Sequence, residues 1–333
     1  MRFVRHLLWA GLILLGSACA DSPAPRHSVF KSTDRGQTWT AADAGLPGTA
    51  RINALAATPG TLVAGTDEGP FFSRDSGASW TAGLAPSNAP VRVLALAPFQ
   101  SELYAGTWNQ GLMVSSDRGA RWDPVPGFPP ITVRCFAAPP EGLAVGTDAQ
   151  GVFVRAGPGR GWERRDAGLP AGAQVFALSV LQGRLYAGLY SKGLYVWNET
   201  ERRWDPAGPV QPLALASVGS TLVAGHNPGG LRWSADAGTT WSEGISFRLP
   251  GFGTDLDGTP GDLPHQAPIW EMGSGDGLVI AGAASGIYRS EDQGRTWERA
   301  VTGLPKDSPG VSFLVTGDLV LAGITRSSAS ARP

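Results

Sequence analysis

Cysteine is nearly absent: the 333 residues hold two, Cys19 and Cys135. That count excludes a disulfide framework and a cysteine-built metal site. Charge is scarce too, at 17% of the chain against a usual ~25%. With 27 basic and 28 acidic residues the net charge is -1, so no overall field draws the protein to nucleic acid or to an anionic membrane. The four histidines are dispersed, and His27 and His265 are too isolated to build a metal site. No Walker loop is present, no serine or cysteine nucleophile has a base in register, and no cofactor is expected. Long apolar runs are also missing, the longest being Leu7 to Leu15, too short for a comfortable membrane span. Glycine, by contrast, is abundant at 46 residues, which suits many short strands joined by tight turns.

The apolar run follows Arg2, Arg5 and His6 and precedes small residues and the polar stretch "DSPAP". This is the three-part layout of a secretory signal peptide over 1–20, with 21–26 as a linker. The segment "LLGSAC" resembles the lipobox of bacterial lipoproteins, which implies lipidation at Cys19. Cleavage after Ala20, releasing an unanchored chain, is the alternative. Either way the chain is expected to be exported, to the periplasm or lipid-anchored in the envelope, or else secreted. Any membrane contact would be through that anchor. Cys135 lies in "VRCFAA", a strand pattern in which cysteine acts as a small buried hydrophobe.

One octet recurs: "STDRGQTW" at 32–39, then "SRDSGASW", "SSDRGARW", "SADAGTTW" and "SEDQGRTW". Two worn copies end at Trp162 and Trp204, so tryptophans fall at 39, 80, 122, 162, 204, 241 and 297, spaced by 41, 42, 40, 42, 37 and 56. A second motif keeps the same beat, an apolar strand, a turn and a Leu-x-Ala-Gly strand, as in "VLALAPFQSELYAGT" from Val93. Each period of ~41 residues reads as four strands, the sequence signature of propeller blades. The chain opens with the outer two strands of a blade and finishes with the inner two. The expected fold is therefore an all-β, seven-bladed propeller of four-stranded blades over 27–325, closed by N-terminal outer strands pairing with C-terminal inner strands, with 326–333 as a frayed tail.

The octet Ser-x-Asp-x-Gly-x-x-Trp resembles the Asp-box, or BNR repeat, of sialidases, sortilin-type receptors, xyloglucanases and the photosystem II assembly-factor family. The resemblance spans nearly the whole chain after the leader, and the single seven-bladed ring is closest in layout to the assembly factors. It implies that the box lies between the third and fourth strands of a blade and serves folding. An Asp there can accept backbone N–H bonds, Gly can supply a positive φ and Trp can cover the hairpin. The pairs Asp34 and Trp39, Asp75 and Trp80, Asp117 and Trp122, Asp236 and Trp241, and Asp292 and Trp297 are accordingly read as structural.

Ligand binding is expected at the channel mouth. Arg51, Arg92 and Arg134 each precede an inner strand in three successive blades, and three guanidinium groups on one rim would suit a carboxylate, a phosphate or an acidic peptide. That each arginine is solvated or paired with a nearby loop carboxylate is the plainer alternative. Trp108, Tyr190 and His226 are the aromatic residues of the neighbouring turns. A long insertion at 244–268 carries Asp255, Asp257, Asp262 and His265, and long loops on rigid scaffolds often select ligands. The resemblance also raises a sialidase-like or other glycan-active or glycan-binding reading, yet no Tyr/Glu pair can be assigned, and "FRLP" at 247–250 stands where other blades carry the linking "GLP". No catalytic residue is assigned. The sequence favours an exported, monomeric binding or assembly scaffold for an envelope protein or an anionic or glycan ligand. By resemblance, the assembly factors bind a membrane-protein partner through a basic patch.

Overall fold

In the computed structural model, residues 26–86, 91–157, 160–226, 230–243, 269–283, 286–305 and 309–326 are described. The leader with Cys19, the insertion 244–268 and the tail from 327 lie outside them. Seven antiparallel four-stranded sheets are present, and no helix occurs among the described residues. The blades are numbered one to seven here by their tryptophans. Each innermost strand packs on that of the next blade, and strand Gly310–Thr316 packs on Ile52–Thr58 to complete the circle. The fold is a seven-bladed β-propeller, as the repeat implied.

Blade one is composite. Arg26–Ser32 pairs antiparallel with Leu319–Arg326 in register from Arg26↔Arg326 to Ser32↔Val320. The ring's first and last strands thus each reach one residue beyond the expected 27 and 325. Seven pairs of backbone partners join the two ends of the chain, so neither terminal strand is left as an open edge.

The Leu-x-Ala-Gly motif is explained by the approach of neighbouring blades. Its strand is wholly buried, as in Thr61–Thr66. A Cβ on Gly65, Gly106 or Gly225 would stand 2.4, 2.5 or 2.6 Å from Val93, Val133 or Ile269, the first paired residue of the next blade. Glycine is needed because the next inner strand occupies the space a side chain would fill. Apolar clusters therefore form between blades, such as Ala56 and Val63 with Val93 and Trp122.

The box is a clamp between blades. Asp34 Oδ1 accepts from the Ser32 hydroxyl (2.7 Å) and from the N–H groups of Gln37 (3.1 Å) and Thr38 (2.9 Å), while Oδ2 accepts from the Thr38 hydroxyl (2.6 Å). Gly36 N–H donates to Ser32 Oγ (2.8 Å), and the same serine-to-glycine bond recurs at Gly77, Gly119, Gly238 and Gly294. Two successive residues are left-handed, Arg35 (φ 60°) and Gly36 (φ 83°), where the sequence pattern assigned a positive φ to glycine alone. The backbone at the tryptophan then reaches back to the preceding blade: the backbone N–H groups of Trp39, Trp80 and Trp122 donate to the carbonyls of Thr302, Ala44 and Leu84. In blade five, which lacks the Asp, Asn198 Oδ1 accepts from Glu201 N–H (3.1 Å), and Trp204 is still buried. In blade four, Trp162 packs edge-on against Phe128 and Tyr104.

Candidate functional site at the channel mouth

Every inner strand breaks register at the same place. The shifts fall between Ile52 and Ala54, Val93 and Ala95, Val133 and Cys135, Val175 and Ala177, Pro212 and Ala214, Ile269 and Glu271, and Gly310 and Ser312. A bulge leaves one residue unpaired and re-aims its side chain. The seven bulge residues, Asn53, Leu94, Arg134, Phe176, Leu213, Trp270 and Val311, all line one cavity of about 240 Å³ at the channel mouth. The residues that follow them, Ala54, Ala95, Cys135, Ala177, Ala214, Glu271 and Ser312, line a connecting tier around a cavity of about 210 Å³. Below them stand Leu55, Leu96, Phe136, Leu178, Leu215, Met272 and Phe313. The lining therefore passes from a mixed rim through mostly small residues to a ring of larger apolar side chains.

The bulge changes how the three arginines relate. Arg51 and Arg92 precede the paired Ile52 and Val93, whereas Arg134 is itself the bulge residue, matched to Asn53 and Leu94; the blade-four counterpart of Arg51 is Thr132. The expectation of three equivalent positions is corrected, although all three side chains reach the same mouth cavity.

Their environments also differ. Arg134 is ion-paired with Asp148 through Nε and through Nη2 (2.8 Å). Its guanidinium lies over the rings of Phe176 (4.6 Å) and Trp108 (5.7 Å). Arg92 stacks on Trp108 (5.1 Å), and its Nε is buried without a hydrogen-bond partner. Phe176 in turn stacks on Tyr190, with centroids 5.0 Å apart and planes inclined by 27°. Arg92, Trp108, Arg134, Phe176 and Tyr190 thus form a ladder of alternating guanidinium and aromatic faces across blades three to five. Arg51 is exposed, and among the described residues neither its side chain nor that of Arg92 has a carboxylate partner. Of the plainer alternative, pairing with a loop carboxylate holds for Arg134 and exposure to solvent for Arg51.

Trp108 and Tyr190 are 41% and 45% exposed. His226, expected beside them, is instead 7% exposed and lines neither cavity. Its place in the strand is that of Thr66, Thr107 and Thr147, whose hydroxyls bond the carbonyls of Gly69, Gly111 and Gly151. Burial lowers the His226 pKa to about 4, so the ring is neutral.

Three mouth residues escaped the sequence reading: Phe176, Trp270 and Glu271. Trp270 is 44% exposed on the arc that also holds Leu213 and Val311. Among the described residues Glu271 is the single carboxylate lining either cavity, and desolvation raises its pKa to about 7. The available signal was the string "IWEMG", which puts Trp and Glu where other blades carry residues such as Leu94 and Ala95. Cys135 lies in Glu271's tier, its thiol pushed up by burial and 3.7 Å from the Val175 carbonyl. Among the described residues no cluster of histidine, cysteine, aspartate and glutamate could hold a metal ion.

No protein-family model and no curated protein matches the chain. Solved structures do. The extracellular domain described as part of a hybrid two-component system from B. thetaiotaomicron is similar over 89% of this chain, with a TM-score of 0.66 and 16% identity. This chain spans only 39% of that one. YCF48 from Cyanidioschyzon merolae is similar over 85% of this chain and 97% of its own, with a TM-score of 0.60 and 16% identity. A structure of YCF48 bound to a D1 peptide is similar over 84% of this chain and 93% of its own, at 0.63 and 15%. At such identities the likeness is one of fold.

Proposed function

We propose that this protein is an exported binding scaffold that holds an acidic peptide segment of an envelope protein at the channel mouth. The observation that carries the reading is the pair Arg51 and Arg92, two guanidinium groups that have no carboxylate partner among the described residues, beside an aromatic ladder and a cavity of about 240 Å³. An unpaired guanidinium on a half-enclosed rim gains most from a carboxylate, which it can bind through two parallel bonds. Leu213, Trp270 and Val311 on the facing arc give the peptide an apolar side to lie against. The likeness to YCF48, solved with a peptide, supports peptide binding as a use of this fold. Export is supported by the leader pattern of residues 1–20 and by the likeness to an extracellular domain. Glycosidic hydrolysis would need two carboxylates roughly 5 to 10 Å apart, and among the described residues Glu271 is the one carboxylate in the cavity lining.

Fluorescence anisotropy with labelled, end-blocked Asp/Glu-rich peptides tests the proposal. The Arg51→Ala/Arg92→Ala double variant is expected to bind at least about tenfold more weakly, since a bond to a charged group contributes about 1.5–3 kcal/mol. Equal affinities for variant and wild type would remove the anion site. Exposed Trp108, Tyr190 and Trp270 also favour a second reading, capture of an acidic sugar. Displacement of the peptide by glucuronate at millimolar concentration would select it.

A further inference from the structure

Glu271 is out of keeping with its ring. At the residue after the bulge, the other six blades carry Ala54, Ala95, Cys135, Ala177, Ala214 and Ser312, all small. A carboxyl group is thereby set in the throat of the channel, one tier below the arginines. Among the described residues no basic group neutralises it. Arg134, which reaches the same cavity, is committed to Asp148 and held against Phe176.

The strands packed against Glu271 offer nothing ionisable either. Leu278–Ala283 in its own blade, Pro212–Val218 on one side and Gly310–Thr316 on the other contain no titratable side chain. Among the described residues the ionisable groups facing the cavities besides Glu271 are Arg51, Arg92, Arg134 and Cys135. An isolated carboxylate in an enclosed site is unfavourable unless a cation or several donors reach it. No packing need calls for it, because alanine suffices in four other blades. A group that completes the site can come down the channel from the mouth.

We infer that Glu271 receives a positively charged nitrogen of the ligand, a lysine-type ammonium that enters the throat while its acidic neighbours are held by Arg51 and Arg92. This deepens the acidic-peptide reading and rests on it: the segment recognised is a lysine flanked by acids. Anion receptors on the rim and a cation receptor one tier below would select a mixed-charge sequence over a uniformly acidic one. Trp270, next to Glu271 and 44% exposed, covers the ammonium's methylene stem.

The test uses two end-blocked, labelled peptides, one with Lys at the centre of an acidic heptamer and one with norleucine there. At pH 8 the lysine peptide is expected to bind at least about tenfold more tightly to the full chain. Its affinity is expected to rise about tenfold from pH 6 to pH 8 as Glu271 ionises, while that of the norleucine peptide does not rise. Glu271→Gln and Glu271→Ala should each abolish the preference; alanine is what the other blades carry, so the fold is expected to survive, checked by circular dichroism. Equal binding of the two peptides would overturn the inference. If both then also weaken in the Arg51→Ala/Arg92→Ala variant, the arginine reading stands without it. Failure of both peptides to bind would remove both readings.

Discussion

At the residue scale, a carboxyl group meets opposite environments in two places. Asp34 is held at about 2 by the hydroxyl of Ser32, then by that of Thr38 and by backbone N–H groups, an environment that favours the charged carboxylate. Glu271 is raised to about 7 by desolvation, an environment that opposes it. Because the folded pKa of Asp34 lies below its unfolded value, the box contributes fully above about pH 3.8 and its contribution is lost as the pH falls through 2. Asp34→Ala is expected to lower stability at pH 7 by about 1 kcal/mol, measured by denaturant titration. The difference from wild type should shrink as the pH approaches 2. Glu271 has the reverse sign: stability falls as the pH rises from about 4.5 to 7, because the unfolded chain ionises first. His226, lowered to about 4 by burial, acts against it, since its contribution is complete above 6.5 and declines below.

At the element scale, the inner strand and its bulge are the working unit. The Ala-Gly strand brings the next blade close enough that its first inner residue fills the place of a Cβ, which fixes where the strand begins. The bulge then turns the following side chain into the channel. Gly106→Ala would set a Cβ 2.5 Å from Val133 Cγ1 and 2.9 Å from the Val133 carbonyl oxygen. Overpacking of this kind costs about 1–3 kcal/mol, and here it bears on the residue next to Arg134. A lower thermal midpoint, together with weaker binding of the acidic peptide, is the expected result in a melting and anisotropy experiment. An unchanged midpoint would show that the blades can spread at no cost.

At the scale of the whole molecule, the shared blade holds the ring closed. Val29 and Leu321 are fully buried at that junction and meet Ile52 and Trp80 of blade two in one cluster. A chain ending at residue 309 would leave Arg26–Ser32 with an unpaired edge in place of Leu319–Arg326. Size-exclusion chromatography is expected to show oligomers or aggregate for that truncation and a single species for the full chain. A monodisperse, thermally unaltered truncation would show that the other six blades close without it.

Fold and site were legible in the sequence to different depths, and the reason is physical. A blade repeats its demands, an Asp to hold a turn, a Trp to cover it and a Gly to admit the neighbour, so the tryptophan spacing and the split of strands between the two chain ends were enough to fix seven blades and their closure. The site belongs to no single repeat. Arg51, Arg92 and Trp108 could be singled out because they stand beside recognisable strands, but the sequence alone could not place Arg134 one register step on, as a bulge is decided by how two strands pair. Nor could it bury His226 or gather Phe176, Trp270 and Glu271, contributed by blades five and seven, around one opening. Which side chains share a cavity depends on the closure of the ring, and only the tertiary structure decided it.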